Sequence, residues 1–243
     1  MKYLPILVLY LGSCVAPICA AYSDRAVDHV PQPGDAFQRG LTALQENRLE
    51  DAFVELSMAE REHPDDARVR NFRGILLARM GKNAEAASEF QEANRLDPLL
   101  EDAYRNLGFL RWSERQLGPA REALERAVQL SPADAFAHYY LGRVELDAGR
   151  YEPAFHDLEL SHQPLPPDPG FLIQAATGYV ALGRLDHARK SLEQLTRVTL
   201  SDAQSIQVGS LLLSIHENDA AINLIQKLNS GHTAAQVLSL IHI

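Results

Sequence analysis

Gly40, Gly74, Gly108 and Gly142 stand 34 residues apart. Ala52, Ala86, Ala120, Ala154 and Ala188 keep the same spacing, and so do Pro64, Pro98, Pro132 and Pro166. Three columns with one period mean one supersecondary unit copied along the chain. Such a unit cannot bury its apolar face alone, so the copies stack into one continuous array instead of closing around a single core. Stacking favours an extended binding surface over a deep catalytic pocket. The net charge of −9 argues against nucleic acid as partner, because phosphate binding needs a basic face. No run of Lys and Arg offsets it, and the charge reads as a solvated helical surface.

The first residues read as an export signal. Lys2 supplies a positive start, and Leu4 to Leu11 an apolar core broken only by Pro5. Small residues then lead to Cys19-Ala20-Ala21, so residues 1–21 form a signal peptide cleaved after Ala20 or Ala21. Two other readings stay open. Leu11-Gly12-Ser13-Cys14 resembles a lipobox, in which Cys14 becomes the lipidated first residue of a bacterial lipoprotein. The uncharged stretch from Tyr3 to Tyr22 could instead reach across a bilayer as a retained anchor, although Pro5, Gly12, Ser13 and Pro17 suit a spanning helix poorly. In each case the protein is exported, to a periplasm or cell envelope, and touches a membrane only through its N-terminus. Both cysteines, Cys14 and Cys19, lie in this segment. The body therefore has no disulfide framework, thiolate metal site or Cys nucleophile. Residues 22–32 are polar, with Pro31, and read as a tether.

Dividing the chain two residues after the Pro column gives repeats 33–66, 67–100, 101–134 and 135–168. Repeat 169–202 continues in register but has Ala176 in the Gly column and Leu200 in the Pro column. The last, 203–229, is degenerate and one residue short. Gly and Ala remove bulk where two helices cross. Phe53, Leu56 and Ala59 supply a buried stripe in the first repeat. Gly81, Gly149 and Gly183 suit the left-handed end of a helix. Asp97-Pro98 and Ser131-Pro132 close a second helix. Pro164, Pro166, Pro167 and Pro169 read as an elaborated loop, with a semi-rigid bend as the alternative. Residues 230–243 read as a terminal helix capped by Thr233. Its nearly all-apolar surface makes it either a docked plug or the start of sequence that continues in a longer protein.

Ala103-Tyr104-Arg105-Asn106-Leu107-Gly108, Phe136 to Gly142, Ala86 to Ala93 and Ala120 to Ala127 resemble the tetratricopeptide repeat family over residues 33–229. The resemblance implies an all-α fold, an α-solenoid of about six antiparallel helix pairs wound into a right-handed superhelix. It also implies that the second, fifth, ninth, twelfth and thirteenth residues of each repeat line a ligand groove. In the second repeat that selects Arg68, Asn71 and Arg79. In the third it selects Asp102, Arg105, Phe109 and Trp112, and in the fourth Phe136, Tyr139, Arg143 and Asp147. From these, Arg68, Asn71, Arg105, Phe109, Trp112, Tyr139 and Arg143 are the candidate partner-binding residues. Arg offers fixed donors to carboxylates and peptide carbonyls, and aromatic rings bury apolar side chains. The opposing reading of Phe109, Trp112 and Phe136 is packing between repeats. The carboxylate-gripping pattern of some family members is not met: Asn106 fits, but Phe136 and Tyr140 stand where Lys and Arg are needed.

The sequence has no Gly-rich phosphate loop, Gly-x-Ser-x-Gly or His-Glu-x-x-His. His156 and His162 do not make a convincing metal pair, and Asp65-Asp66 and Glu101-Asp102 read as helix caps, not as acid–base pairs. The expectation is a non-catalytic scaffold without cofactor or metal. It captures an extended peptide or partner helix in the groove of repeats two to four, and its degenerate end is suited to self-association. One alternative is a pilotin-like or outer-membrane assembly lipoprotein anchored through Cys14. The other is the regulatory front of a longer enzyme.

Overall fold

The computed structural model describes residues 35–164, 166–195 and 198–226. The signal and lipobox residues 1–21 with Cys14, the tether 22–32 and the terminal segment 230–243 lie outside them. The described residues form twelve α-helices and no strand, in six adjacent antiparallel pairs. These are α1 (Asp35–Gln45) with α2 (Leu49–Glu62), α3 (Ala67–Arg79) with α4 (Asn83–Leu96), and α5 (Glu101–Ser113) with α6 (Leu117–Leu130). They continue with α7 (Ala135–Asp147) and α8 (Tyr151–Leu160), α9 (Pro169–Ala181) and α10 (Leu185–Leu195), and α11 (Asp202–Ser214) and α12 (Asn218–Gln226). Pairs one to three belong to one compact unit, ending at Ala133, and pairs four to six to a second, from Asp134 onward.

Pairs one to four cross where the glycine column removes a side chain, and pair five has Ala176 there. A Cβ on Gly40 would lie 2.8 Å from Leu56 Cγ, on Gly74 2.6 Å from Phe90 Cε1, and on Gly108 2.5 Å from Leu124 Cγ. On Gly142 it would meet Leu158 Cγ at 2.8 Å and the Ala154 carbonyl oxygen at 2.9 Å. The facing Ala52, Ala86, Ala120, Ala154 and Ala188 are wholly buried. Leu56, Phe90, Leu124 and Leu158 fill the space so defined, each contributing roughly 2 kcal/mol by its burial. The columns do not lapse in the last pair. Counting 33 instead of 34 residues from Ala176 and Ala188 reaches Gly209 and Ala221, both buried. Gly178, outside the column, makes room for Tyr151 and Phe155 of the preceding pair.

The turn inside every pair uses one left-handed residue: Asn47, Gly81, Arg115, Gly149, Gly183 and His216, with φ between 58° and 77°. At Gly81 the hydrogen bonds are those of a Schellman end: Gly81 N donates to Ala78 O at 3.0 Å, and Lys82 N to Leu77 O at 2.9 Å. Equivalent bonds recur in the other five turns. Helix starts are marked by side chains. Asp66, Asp134 and Asp168 accept from backbone N–H groups of α3, α7 and α9, and Ser201 forms a capping box with Gln204 at α11. Each such cap contributes about 1 kcal/mol.

The buried stripe of α2 is Ala52, Leu56 and Ala59, whereas Phe53 is 39% exposed. Phe53 lies about 100° round the helix from Ala52, beyond the edge of the stripe, where Lys82 Nζ sits 6.0 Å from its ring centroid. Pairs one and two share an apolar core containing Phe37, Leu44, Leu56, Phe72 and Leu76. A charged cluster also joins them. Arg70 Nη1 lies 2.5 Å from Glu60 Oε1 and 3.3 Å from Glu89 Oε2, and Arg73 pairs with the same two carboxylates.

Candidate functional site

Of the seven candidate partner-binding residues, five lie in the first unit and two in the second. In the first unit, Arg68 and Asn71 stand on α3, and Arg105, Phe109 and Trp112 on α5. The Arg68 guanidinium is folded back on Asp66, with Nη2 to Oδ2 at 2.6 Å and Nε to Oδ1 at 3.0 Å. Asp66 is held in turn by its role as N-cap, accepting from Arg68 N at 2.9 Å. Arg105 is paired in the same way with Asp102, one helical turn earlier. Each Arg is therefore matched by a carboxylate on its own helix start, where Asp is favoured by the N-terminal dipole. These couples keep planar donors in place but carry no net charge.

Asn71 is 2% exposed, and its Oδ1 accepts from Asn106 Nδ2 at 2.9 Å. It is a strut between pairs two and three, placed there because the fifth position of α3 faces the sixth of α5. Arg79 is likewise structural. Its Nη1 donates 2.7 Å to the Leu44 carbonyl at the end of α1, which also accepts from Asn47 N at 3.1 Å. Burial draws its guanidinium below the ordinary Arg value. Phe109 and Trp112 are half-buried, with ring centroids 5.9 Å apart and planes at 54°. They form an aromatic corner one to two turns along α5 from Arg105.

In the second unit, Tyr139 and Arg143 lie one turn apart on α7. Arg143 Nη1 donates to Tyr139 Oη at 3.1 Å. Its guanidinium carbon is 4.4 Å from the Phe171 ring centroid and 5.9 Å from that of Tyr139. The cation thus lies between two rings, one from α7 and one from α9. Tyr140 meets Tyr139 edge-on at 5.3 Å. Gln174 Nε2, on α9, donates to both the Leu146 carbonyl and Asp147 Oδ1 at 3.0 Å. Phe171 and Gln174 were not legible in the sequence, because neither position carries a distinctive spacing signal. Nor was the buried contact between His138 Nδ1 and Asp157 Oδ1, at 2.8 Å across α7 and α8.

Asp66 acts as a cap, as its place at a helix start implies. Glu101 and Asp102, expected as caps, are not: they lie inside the first turn of α5, whose N-cap is Leu100 without a side-chain bond, and Asp102 is taken up by Arg105. His156 is exposed on α8 between the buried Phe155 and Asp157, and His162 follows the helix end with φ 50°. Among the described residues no three His, Cys, Asp or Glu side chains gather as a metal site would require, and no helix is long and apolar enough to cross a membrane. The faces offer aromatic surface and charge-compensated guanidinium donors. This is chemistry for holding a chain by its apolar side chains and carbonyls.

Successive antiparallel helix pairs with small residues at their crossings, three in each unit, define a helical-repeat scaffold. The chain belongs to the tetratricopeptide repeat family, which it matches over residues 37–101 and 106–169, together more than half its length. Among curated proteins none matches it significantly. Solved structures share the fold at low identity. PilF of Pseudomonas aeruginosa is 18% identical with a TM-score of 0.60, over 84% of this chain and 95% of PilF. YrrB, described as a tetratricopeptide protein with an unusual peptide-binding site, is 18% identical with a TM-score of 0.62, over 76% of this chain and 97% of YrrB. PilW, described as a widely conserved type IV pilus biogenesis factor, is 16% identical with a TM-score of 0.56, over 86% of this chain and 97% of PilW.

Proposed function

We propose that this scaffold works in the cell envelope, without catalysis, by capturing an extended peptide or partner helix on the faces presented by the first helices of its pairs. The observation that carries the reading is the pairing of aromatic surface with immobilised guanidinium donors. Phe109 and Trp112 stand beside Arg105 in the first unit, and Tyr139 and Phe171 flank Arg143 in the second. Preformed side chains lower the ordering cost of binding. Because Arg68 and Arg105 already have carboxylate partners, the face favours a segment with apolar anchors over a strongly acidic tail. Peptide binding by YrrB supports the reading by analogy of fold.

The test is crosslinking of the tagged protein in its native cells, beside an Arg105→Ala, Tyr139→Ala variant and a Phe109→Ala, Trp112→Ala variant. The expected result is a defined set of envelope proteins recovered by the wild type and lost with the variants, whose helicity is retained. Equal recovery by all three chains overturns the proposal. Trp112 is the only tryptophan, so a partner peptide should also shift the fluorescence of the purified protein.

A second, narrower reading is a lipidated assembly factor for an envelope machine such as a pilus, anchored through Cys14. The structural likeness to PilF and PilW over most of the chain favours it, together with the lipobox-like Leu11–Cys14 sequence. Membrane association should then be lost in Cys14→Ala. Its persistence would remove this reading and leave the scaffold reading standing.

A further inference from the structure

Among the described residues, the well-exposed large apolar side chains are Phe53, Val54, Met58, Leu99, Leu160 and Leu185. Leu99, Leu160 and Leu185 stand singly, as apolar residues do on any protein surface. The other three share α2. Phe53 lies on the flank, with Lys82 over its ring. Val54, 57% exposed, and Met58, 40% exposed, are one turn apart and form an apolar ridge. The ridge is opposite the buried stripe of Ala52, Leu56 and Ala59, because Val54 is about 200° round the helix from both Ala52 and Leu56.

The ridge has an unlike charge at each end. Glu50 lies in the first turn of α2 and Arg61 in the last. Both are exposed, and neither pairs with another charge among the described residues. The charges on the flank are already matched. Arg48 holds Asp51, Arg39 holds Glu55, and Glu62 is within electrostatic reach of Arg39.

Along this side of α2 the order is therefore Glu50, Val54, Met58, Arg61. Reversed, that order is its own complement: acid meets base at both ends, and Val54 meets Met58 between them. The charged pair and the apolar pair share a midpoint near residue 56, so one two-fold axis satisfies both. Antiparallel helices also bring opposite dipole ends together. A basic peptide would set its charge against Arg61 and an acidic one against Glu50, whereas a second copy of this chain does neither.

We infer that two copies associate through α2, antiparallel, with Glu50 of each beside Arg61 of the other around the Val54–Met58 ridge. The candidate partner-binding residues stand on the first helices of their pairs and α2 is a second helix, so the inference is independent of what those faces hold. One ridge on a helix of 14 residues covers less than the roughly 800 Å² per partner of a standard interface, so the association is weak and concentration-dependent.

Sedimentation velocity of the purified full chain reads the dimer over a concentration series, in reducing buffer so that Cys14 and Cys19 form no disulfide. Glu50→Arg alone and Arg61→Glu alone each set like charges together at both ends, and each should weaken the dimer by about tenfold. An equimolar mixture of these two variants should regain wild-type association, because a mixed dimer restores both ion pairs. Val54→Lys should abolish the dimer with helicity unchanged, and Leu160→Lys should leave it intact. A wild-type chain that stays monomeric up to about 1 mM would overturn the inference. So would dimers that persist in both single variants, or a mixture no more associated than its components, since the contact would then lie elsewhere on the chain.

Discussion

His138 and Asp157 occupy the same two register positions in pair four that Arg70 and Glu89 occupy in pair two, 19 residues apart in each case. His138 is 5% exposed and Asp157 8%. The corresponding side chains are Tyr104 and Ala123 in pair three, and Leu172 and Ser191 in pair five. One slot between the two helices of a pair is thus filled by polar couples in some repeats and by apolar or small residues in others. In pair five, Ser191 Oγ meets its own hydrogen-bonding need by donating to the His187 carbonyl at 3.1 Å.

This relationship predicts a swap. Removing one partner of a buried polar couple takes a buried hydrogen bond from the other, so Asp157→Ala should destabilise by about 3 kcal/mol. Transplanting the pair-five solution, His138→Leu with Asp157→Ser, should recover most of that loss. Chemical denaturation of both variants measures it. A double variant no more stable than Asp157→Ala would show that the slots are not equivalent.

The glycine crossings predict an overpacking cost. Ala is the better helix former by about 1 kcal/mol, but a methyl on Gly142 meets the Ala154 carbonyl oxygen, which is backbone and cannot rotate away. Gly142→Ala should therefore be net destabilising by roughly 1–3 kcal/mol. At Gly108 the nearest obstacle is the Leu124 side chain, with Ala120 O at 3.1 Å. Gly108→Ala should be milder and Gly108→Leu severe. A Gly108→Leu protein that melts like the wild type would contradict the crossing.

The intra-pair turns predict opposite signs for two substitutions. Gly149 has φ 72° and open space where a side-chain methyl would stand, so Gly149→Ala should cost about 1 kcal/mol through backbone conformation alone. His216 is exposed and holds φ 65°, so His216→Gly should stabilise by a similar amount. Thermal melts of both proteins check the signs, and a lower Tm for His216→Gly would mean its side chain contributes more than its backbone costs.

Tyr179 predicts an alkaline effect. Burial raises its phenol above the ordinary value of 10.0, with a further push from Glu159 and a partial offset from Arg184. Below pH 10 the group is neutral in the folded and unfolded chains alike, and its contribution is fully present. As pH rises above 10 the unfolded chain ionises first, so stability is lost through the interval up to the raised folded value. Tyr179→Phe keeps the ring stacked on Phe155, 3.8 Å between centroids, and removes the ionisation. Between about pH 8 and 11 its Tm should fall less than that of the wild type. Parallel declines would exclude Tyr179 as the linked group.

The period of 34 and the small-residue columns were sufficient to establish the helix pairs and their crossings, because a crossing tolerates only Gly or Ala and leaves that requirement in the sequence. The turns at Gly81, Gly149 and Gly183 were legible for the same reason: a left-handed helix end is a local demand on residue type. The last pair looked degenerate only because its columns run at 33 residues, a shift that Gly209 and Ala221 expose once the helices are in place. What only the tertiary structure decided was the role of residues on the inner positions. Arg68 and Arg105 are neutralised by Asp66 and Asp102, Asn71 is buried against Asn106, and Arg79 caps another helix. Register names the face on which a side chain begins. A long guanidinium or a small amide is committed by what stands within hydrogen-bond reach from the neighbouring repeat, and a one-dimensional pattern does not record that distance.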